Sequence, residues 1–291
     1  MFNRHNIFTA LFGLFFGAAG ASADMIEVNG AEIYYTSIGD GPAILMMHGG
    51  LGLSHDYFRP YFDTLAQTHT VVYYDHFGNG RSTKPKNYDE MNFDRLTSDA
   101  AELMSALNHD TFTLIGHSYG GFIGQKFVEK YPDRLDGLVL LATIPAFDYQ
   151  PAVAGTEEQM QAFGKIFSGP LAGNAEWQEN WSRVVQMYFH NYDANIGAAL
   201  DASTHYEYRA WNAAGPLLAD FNMLEVLPNV TVPTLVMGGR YDPITPATQG
   251  SERIASLLTN AELAIFENSA HYPFITEENA FFERLNTWLA R

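Results

Sequence analysis

From about residue 26 to residue 289, short apolar runs alternate with amphipathic stretches, and each kind predicts its own element. Residues 26–28 and 31–35 flank Asn29-Gly30, the strongest short-range signal for a hairpin. Residues 43–47, 70–74, 112–115, 138–141, 234–237 and 263–266 are apolar or β-branched almost throughout. Such runs predict strands buried on both faces. Residues 93–107 carry Leu96, Ala100, Leu103 and Leu107 at helical spacing. Residues 122–131 predict a second helix, ended by Pro132, and residues 281–289 a closing amphipathic one. Continuous apolar strands alternating with helices predict an α/β fold: a mostly parallel central sheet with helices on both faces.

Residues 145–228 break the alternation and contain no clear apolar strand. Helical periodicity appears at 156–167 and 176–188. Three of the four tryptophans lie here, Trp177, Trp181 and Trp211, together with many Phe and Tyr. The segment reads as a helical cap inserted over one edge of the sheet. Most of its aromatics pack inward as its own core, and the rest line a pocket against the sheet, where ligand sites tend to form. The predicted organisation is a core of 24–144 and 229–291, a cap of 145–228, and a separate leader of 1–23.

The leader has Arg4 near its start, an apolar run over 7–18 and the small-residue pattern Ala21-Ser22-Ala23 before Asp24. That is the pattern of a secretory signal peptide, with the mature chain starting near Asp24. The run is short for a membrane span of about 20 residues, so no stable membrane anchoring is expected after cleavage. The expected location is periplasmic or extracellular. Composition adds three exclusions. With 47% hydrophobic and 17% charged residues the chain is neither disordered nor fibrous. Its net charge of −17 disfavours nucleic acid and anionic membrane surfaces as partners. It has no cysteine, which excludes disulfides, thiolate nucleophiles and Cys-based zinc sites.

Candidate chemistry sits at strand ends. Gly116-His117-Ser118-Tyr119-Gly120 matches G-x-S-x-G between a predicted strand and a predicted helix, the context that motif requires. Ser118 is the candidate nucleophile. A serine needs a base to take its proton and an acid to orient that base. Asp242 follows the strand at 234–237, and His271 lies between the last strand and the last helix. The order Ser, Asp, His is that of the α/β-hydrolases. Asp220 and Glu267 are the fallback acids. A developing oxyanion needs donors, and the backbone N–H groups of Gly50, in His48-Gly49-Gly50-Leu51-Gly52, and of Tyr119 are the candidates. The His48 side chain reads as structural. The Gly-rich loop from Asp75 to Ser82 reads as a brace for the oxyanion loop. It lacks the Lys and the length of a phosphate-binding loop.

These motifs, spread over nearly the whole of residues 26–289, resemble an α/β-hydrolase with a helical cap, within it the proline iminopeptidase group. The resemblance implies a cofactor-free serine hydrolase with no metal, acting on a small molecule or a short peptide. It also implies removal of an N-terminal residue, often proline, with the substrate's amino group held by acids. Two positions depart from that pattern: Leu51 stands where the group usually has proline, and Pro243 follows Asp242 where it has an acid. Glu207, Tyr208 and Trp211 are the candidate cap contacts to substrate. The leading expectation is therefore hydrolysis of an ester, lactone or amide of a small, largely apolar substrate. Its alternatives are an iminopeptidase-type aminopeptidase and a non-catalytic ligand-binding protein on the same fold.

Overall fold

The computed structural model describes residues 22–149 and 153–291. The expected leader lies outside the described residues except for Ser22 and Ala23. Among the described residues, eight strands form one sheet in the order β1-β2-β4-β3-β5-β6-β7-β8. They are β1 (Ser22–Val28), β2 (Ala31–Ile38), β3 (Ala43–Met47), β4 (Thr70–Tyr74), β5 (Phe112–His117), β6 (Leu135–Leu141), β7 (Thr234–Gly239) and β8 (Ala261–Phe266). The pairs β1–β2 and β2–β4 are antiparallel, and the rest are parallel. Asn29 and Gly30 join β1 to β2 with φ of 50° and 76°. Positive φ at both central residues is the twist a tight hairpin requires.

Side-chain alternation shows why the central strands are apolar throughout. Leu45 and Met47 of β3, Leu114 of β5 and Leu138 and Leu140 of β6 pack on one face of the sheet. Ile44, Met46, Ile115, Val139 and Leu141 pack on the other. Helices cover both sides. On the first face lie α1 (Phe93–Ala106), through Leu96 and Leu103, and α2 (Tyr119–Lys130), through Ile123 and Phe127.

Between β6 and β7 the chain forms α3 (Glu157–Ser168), α4 (Asn174–Val184), α5 (Ala194–Ser203) and α6 (Tyr208–Ala219). An isolated bridge between Ala146 and Asn222 ties the two ends of this segment together. The periodicity predicts only two helices here. α5 escapes it because it is built of small residues with no apolar stripe, and α6 because Gly215-Pro216 reads as a breaker. After β7 come α7 (Ser251–Leu257), then α8 (Pro273–Thr276) and α9 (Glu278–Leu289), whose Phe281 and Leu285 join the second face. No helix of the described residues is long and apolar enough to cross a membrane.

β3 lies between β4 and β5, so the connections leave β3 in opposite directions. This reversal opens a crevice beyond the carboxyl ends of β3 and β5, where open α/β sheets bind their ligands. The Gly49-Gly50 loop leaves one strand there and Ser118 leaves the other.

Candidate active site

β5 passes into α2 with a single residue between them, Ser118, at φ 54° and ψ −117°. A non-glycine residue held there carries roughly 1–3 kcal/mol of strain, maintained only where its surroundings fix it. The Ser118 N–H donates to the Leu141 carbonyl at 2.9 Å, and the Ser118 carbonyl accepts from Gly121 N–H at 2.9 Å. The flanking glycines have a steric cause. A Cβ on Gly116 would stand 2.5 Å from the Gly120 oxygen, and one on Gly120 would collide with the Met47 carbonyl. Gly120→Ala should therefore push α2 off the end of β3, lowering stability by about 1–3 kcal/mol and widening the oxyanion loop. Denaturant melting together with an ester hydrolysis assay checks this; wild-type values for both would refute the steric account.

The candidate base and its candidate acid meet. His271 Nδ1 lies 2.7 Å from Asp242 Oδ2, with both residues buried. Asp242 Oδ1 accepts from the N–H groups of Ile244 and Thr245 at 2.9 and 3.0 Å, and Oδ2 from the Thr245 hydroxyl at 2.6 Å. Burial pushes the Asp242 carboxyl up, but the His271 contact and the Thr245 hydrogen bonds outweigh it and hold the group below its ordinary value. A carboxylate so placed fixes the proton on His271 Nδ1 and leaves Nε2 to act. The fallback acids stand elsewhere. Asp220 is exposed at the end of α6, and Glu267 is exposed and paired with Arg240 at 2.8 Å.

The oxyanion loop is braced from below. Asn79 Oδ1 accepts from Gly52 N–H at 2.7 Å, and Asp75 accepts from the backbone and ring of His55 at 3.0 and 2.7 Å. His48 is fully buried, stacked on His76 with ring centroids 4.0 Å apart. Its Nε2 accepts from His76 N–H at 3.2 Å, so its Nδ1 carries the proton and donates to the Gly49 carbonyl at 2.9 Å. His55, Asp56 and Asp75 converge closely enough to suggest a cation site. The Arg81 guanidinium already fills it, at 2.5 Å from Asp56 and 3.2 Å from Asp75.

Above these groups lies a cavity lined by Ser118, His271, Gly50, Tyr119 and a mostly apolar wall. Phe147 and Phe167 stand on that wall and are also 44% and 47% exposed, which puts them at its mouth. Of the three candidate substrate contacts only Trp211 lines the cavity. Glu207 is 4% exposed, and its carboxylate accepts from Arg209 Nε and Nη2 at 2.7 and 2.9 Å. Burial pushes that carboxyl up, and the arginine contacts more than reverse it. Tyr208 starts α6, with its N–H on Asn174, and does not line the cavity. Sequence reasoning missed Tyr57, Phe147, Tyr188 and Thr245 as cavity residues. The Asx turn that Asp242 makes with the N–H of Ile244 brings Thr245 over the carboxylate, but no spacing rule singles out its hydroxyl. Tyr57 sits in the short 3-10 turn His55–Phe58, which has no periodicity to reveal it.

Comparison with known proteins agrees with this geometry. Residues 42–278 match the alpha/beta hydrolase fold family. The proline iminopeptidase PfmaB of Pestalotiopsis fici is 26% identical over 286 residues, spanning 92% of this chain and 99% of that protein. An esterase from Exiguobacterium antarcticum superposes with a TM-score of 0.77 at 22% identity, over 93% of this chain and all of the other. The enol-lactonase of Burkholderia xenovorans superposes with a TM-score of 0.75 at 21% identity, over 92% of this chain and all of the other.

Proposed function

The chain belongs to the alpha/beta hydrolase fold family, and on that premise we propose that it is a serine hydrolase for esters, lactones or amides of small, largely apolar acyl compounds. Ser118 Oγ attacks the carbonyl carbon while His271 Nε2 takes the hydroxyl proton. The N–H groups of Gly50 and Tyr119 receive the developing oxyanion. The Tyr119 N–H is free for this because the first N–H groups of a helix lack partners within it. His271 then gives the proton to the leaving oxygen or nitrogen, and the acyl-enzyme forms. Water, deprotonated by the same His271, releases the acid and restores Ser118.

The observation that carries the substrate class is the wall of the cavity. Ser118 and His271 open onto Leu51, Leu53, Phe122, Ile144, Phe147 and Trp211, and among the described residues no carboxylate lines the space. An aminopeptidase must hold a cationic amino group, and desolvating that group without a paired anion is costly. The name of the iminopeptidase relative favours the aminopeptidase reading, but Glu207 is turned to Arg209 and Pro243 offers no acid. Export belongs to the same proposal and rests on the residue pattern of 1–23.

The test compares a 4-nitrophenyl ester of a short acid, prolyl 4-nitroanilide and its N-acetyl analogue. The ester should turn over, and the free amine should give the anilide no advantage over the blocked form. A preference of roughly tenfold or more for the free amine, worth about 1.4 kcal/mol, would establish the aminopeptidase instead. A folded protein that neither turns over nor labels with a fluorophosphonate would be a binding protein.

A further inference from the structure

One hydrogen-bonded chain crosses the site from the oxyanion loop to the base through no atom of Ser118. Gly49 N–H lies 2.6 Å from the Tyr57 hydroxyl, that hydroxyl 2.7 Å from His117 Nδ1, and His117 Nε2 3.0 Å from the His271 carbonyl oxygen. The direction of every proton follows from the partners. A carbonyl only accepts, so His117 Nε2 carries a hydrogen. Burial, with His271 beside it, holds the ring neutral, so Nδ1 is an acceptor. Tyr57 must then donate to Nδ1, which leaves its oxygen to accept from Gly49. Each member has one role, and no donor faces a donor.

Gly49 is held on its other side as well, since its carbonyl accepts from His48 Nδ1. That carbonyl belongs to the peptide unit whose N–H is that of Gly50. Both peptide units at Gly49 are therefore fixed. The Tyr57 side fixes them relative to the residue that carries the base.

We propose that Tyr57 and His117 are positioning residues that couple the oxyanion loop to His271, keeping the Gly50 donor and the base in register across Ser118. The proposal rests on the serine hydrolase reading above. It assigns a role to the histidine beside the nucleophile, which the triad leaves unused. A donor misplaced by about 1 Å can lower a rate by roughly 10²-fold without loss of binding.

The experiment uses Tyr57→Phe, which deletes one oxygen, together with His117→Leu, His117→Gln and the Tyr57→Phe/His117→Leu double variant. Tyr57→Phe should lower kcat about 10–100-fold with KM changed less than about threefold. The double variant should be no slower than the slower single variant, because either change opens the same chain. His117→Gln, which offers one donor and one acceptor, should recover part of the loss. The rate of fluorophosphonate labelling at Ser118 should fall in parallel with kcat. A Tyr57→Phe kcat within about twofold of wild type overturns the proposal, as does multiplicative loss in the double variant. Should His117→Leu fail to fold, Tyr57→Phe and His117→Gln alone decide it. If wild-type protein itself neither labels nor hydrolyses esters, the serine hydrolase reading fails. If it does both and Tyr57→Phe is unaffected, only the coupling fails.

Discussion

Ser118→Ala is expected to lower ester turnover by about 10⁴–10⁶-fold, the range found when one member of such a triad is removed. The residual rate would come from the Gly50 and Tyr119 donors and from the apolar wall, which the substitution leaves in place. Melting temperature should stay close to that of wild type. Alanine keeps the Cβ, so the strain at φ 54° persists. The two backbone hydrogen bonds of the turn do not involve the hydroxyl. Steady-state kinetics and a thermal melt on one preparation check both halves. Retained turnover would remove Ser118 from the mechanism, and a collapsed melt would make the result structural rather than catalytic.

Acid should destabilise the protein through its buried histidines, above the pH at which Asp75 and Asp242 titrate. His48, His76 and His117 are buried, and burial is the main cause that holds all three rings neutral. For His48 the value falls to about 4, despite opposing pulls from Asp75 and the Gly49 hydrogen bond. An unfolded histidine binds its proton near pH 6.5. The unfolded chain therefore takes up protons that the folded one refuses. The contribution is fully present above pH 6.5 and is lost as the pH falls toward 4. His48 alone accounts for about 3 kcal/mol over that window. His76 and His117 act in the same direction. Net stabilities are only about 5–15 kcal/mol, so melting temperature should drop steeply between pH 7 and 4.5. Asp75 and Asp242 are held below their ordinary values, so their protonation begins lower and does not blur the window. A melting temperature that is flat down to pH 4.5 would contradict the neutral assignments. The chemistry predicts lost activity over the same range. A protonated His48 would aim an Nε2 donor at the N–H of His76, and that donor–donor clash would push the ring away from the Gly49 carbonyl to which its Nδ1 donates.

Much of this arrangement was legible in the residues. The strands announced themselves because helices cover both faces of the sheet, which demands unbroken apolar runs such as 43–47 and 138–141. Ser118 was legible because the glycines around it answer steric contacts with Gly120 and Met47, and no other residue fits. Asp242 and His271 were legible because each follows a strand end. The start of α2 was not, since Gly120 and Gly121 read as loop although they pack inside a helix. The direction of the Glu207 carboxylate was not either. It depends on Arg209, two residues on, and nothing in the spacing shows whether an acid meets a substrate or a neighbouring cation. Tyr57 illustrates the same limit, for its partners are Gly49 and His117, and periodicity carries no information about contacts that distant in sequence.

The backbone N–H of His271 donates to the carbonyl of Tyr188, at 3.0 Å, and the Tyr188 ring stands edge-on to the imidazole. Trp177 Nε1 and Glu207 N–H both donate to the Gly52 carbonyl. The helical segment thus grips both His271 and the loop that carries Gly50 and Gly52. Its sequence is not a detachable specificity module. Grafting it from a relative to gain a new substrate would shift the catalytic register as well, unless the residues equivalent to Tyr188 and Trp177 came across in place. Selection on substrate range in this segment is therefore constrained at those two anchors and freer at the mouth, at Phe147, whose ring packs on Phe122 and Phe221 rather than on either anchor; Phe167 is tied to Trp177 through Trp211.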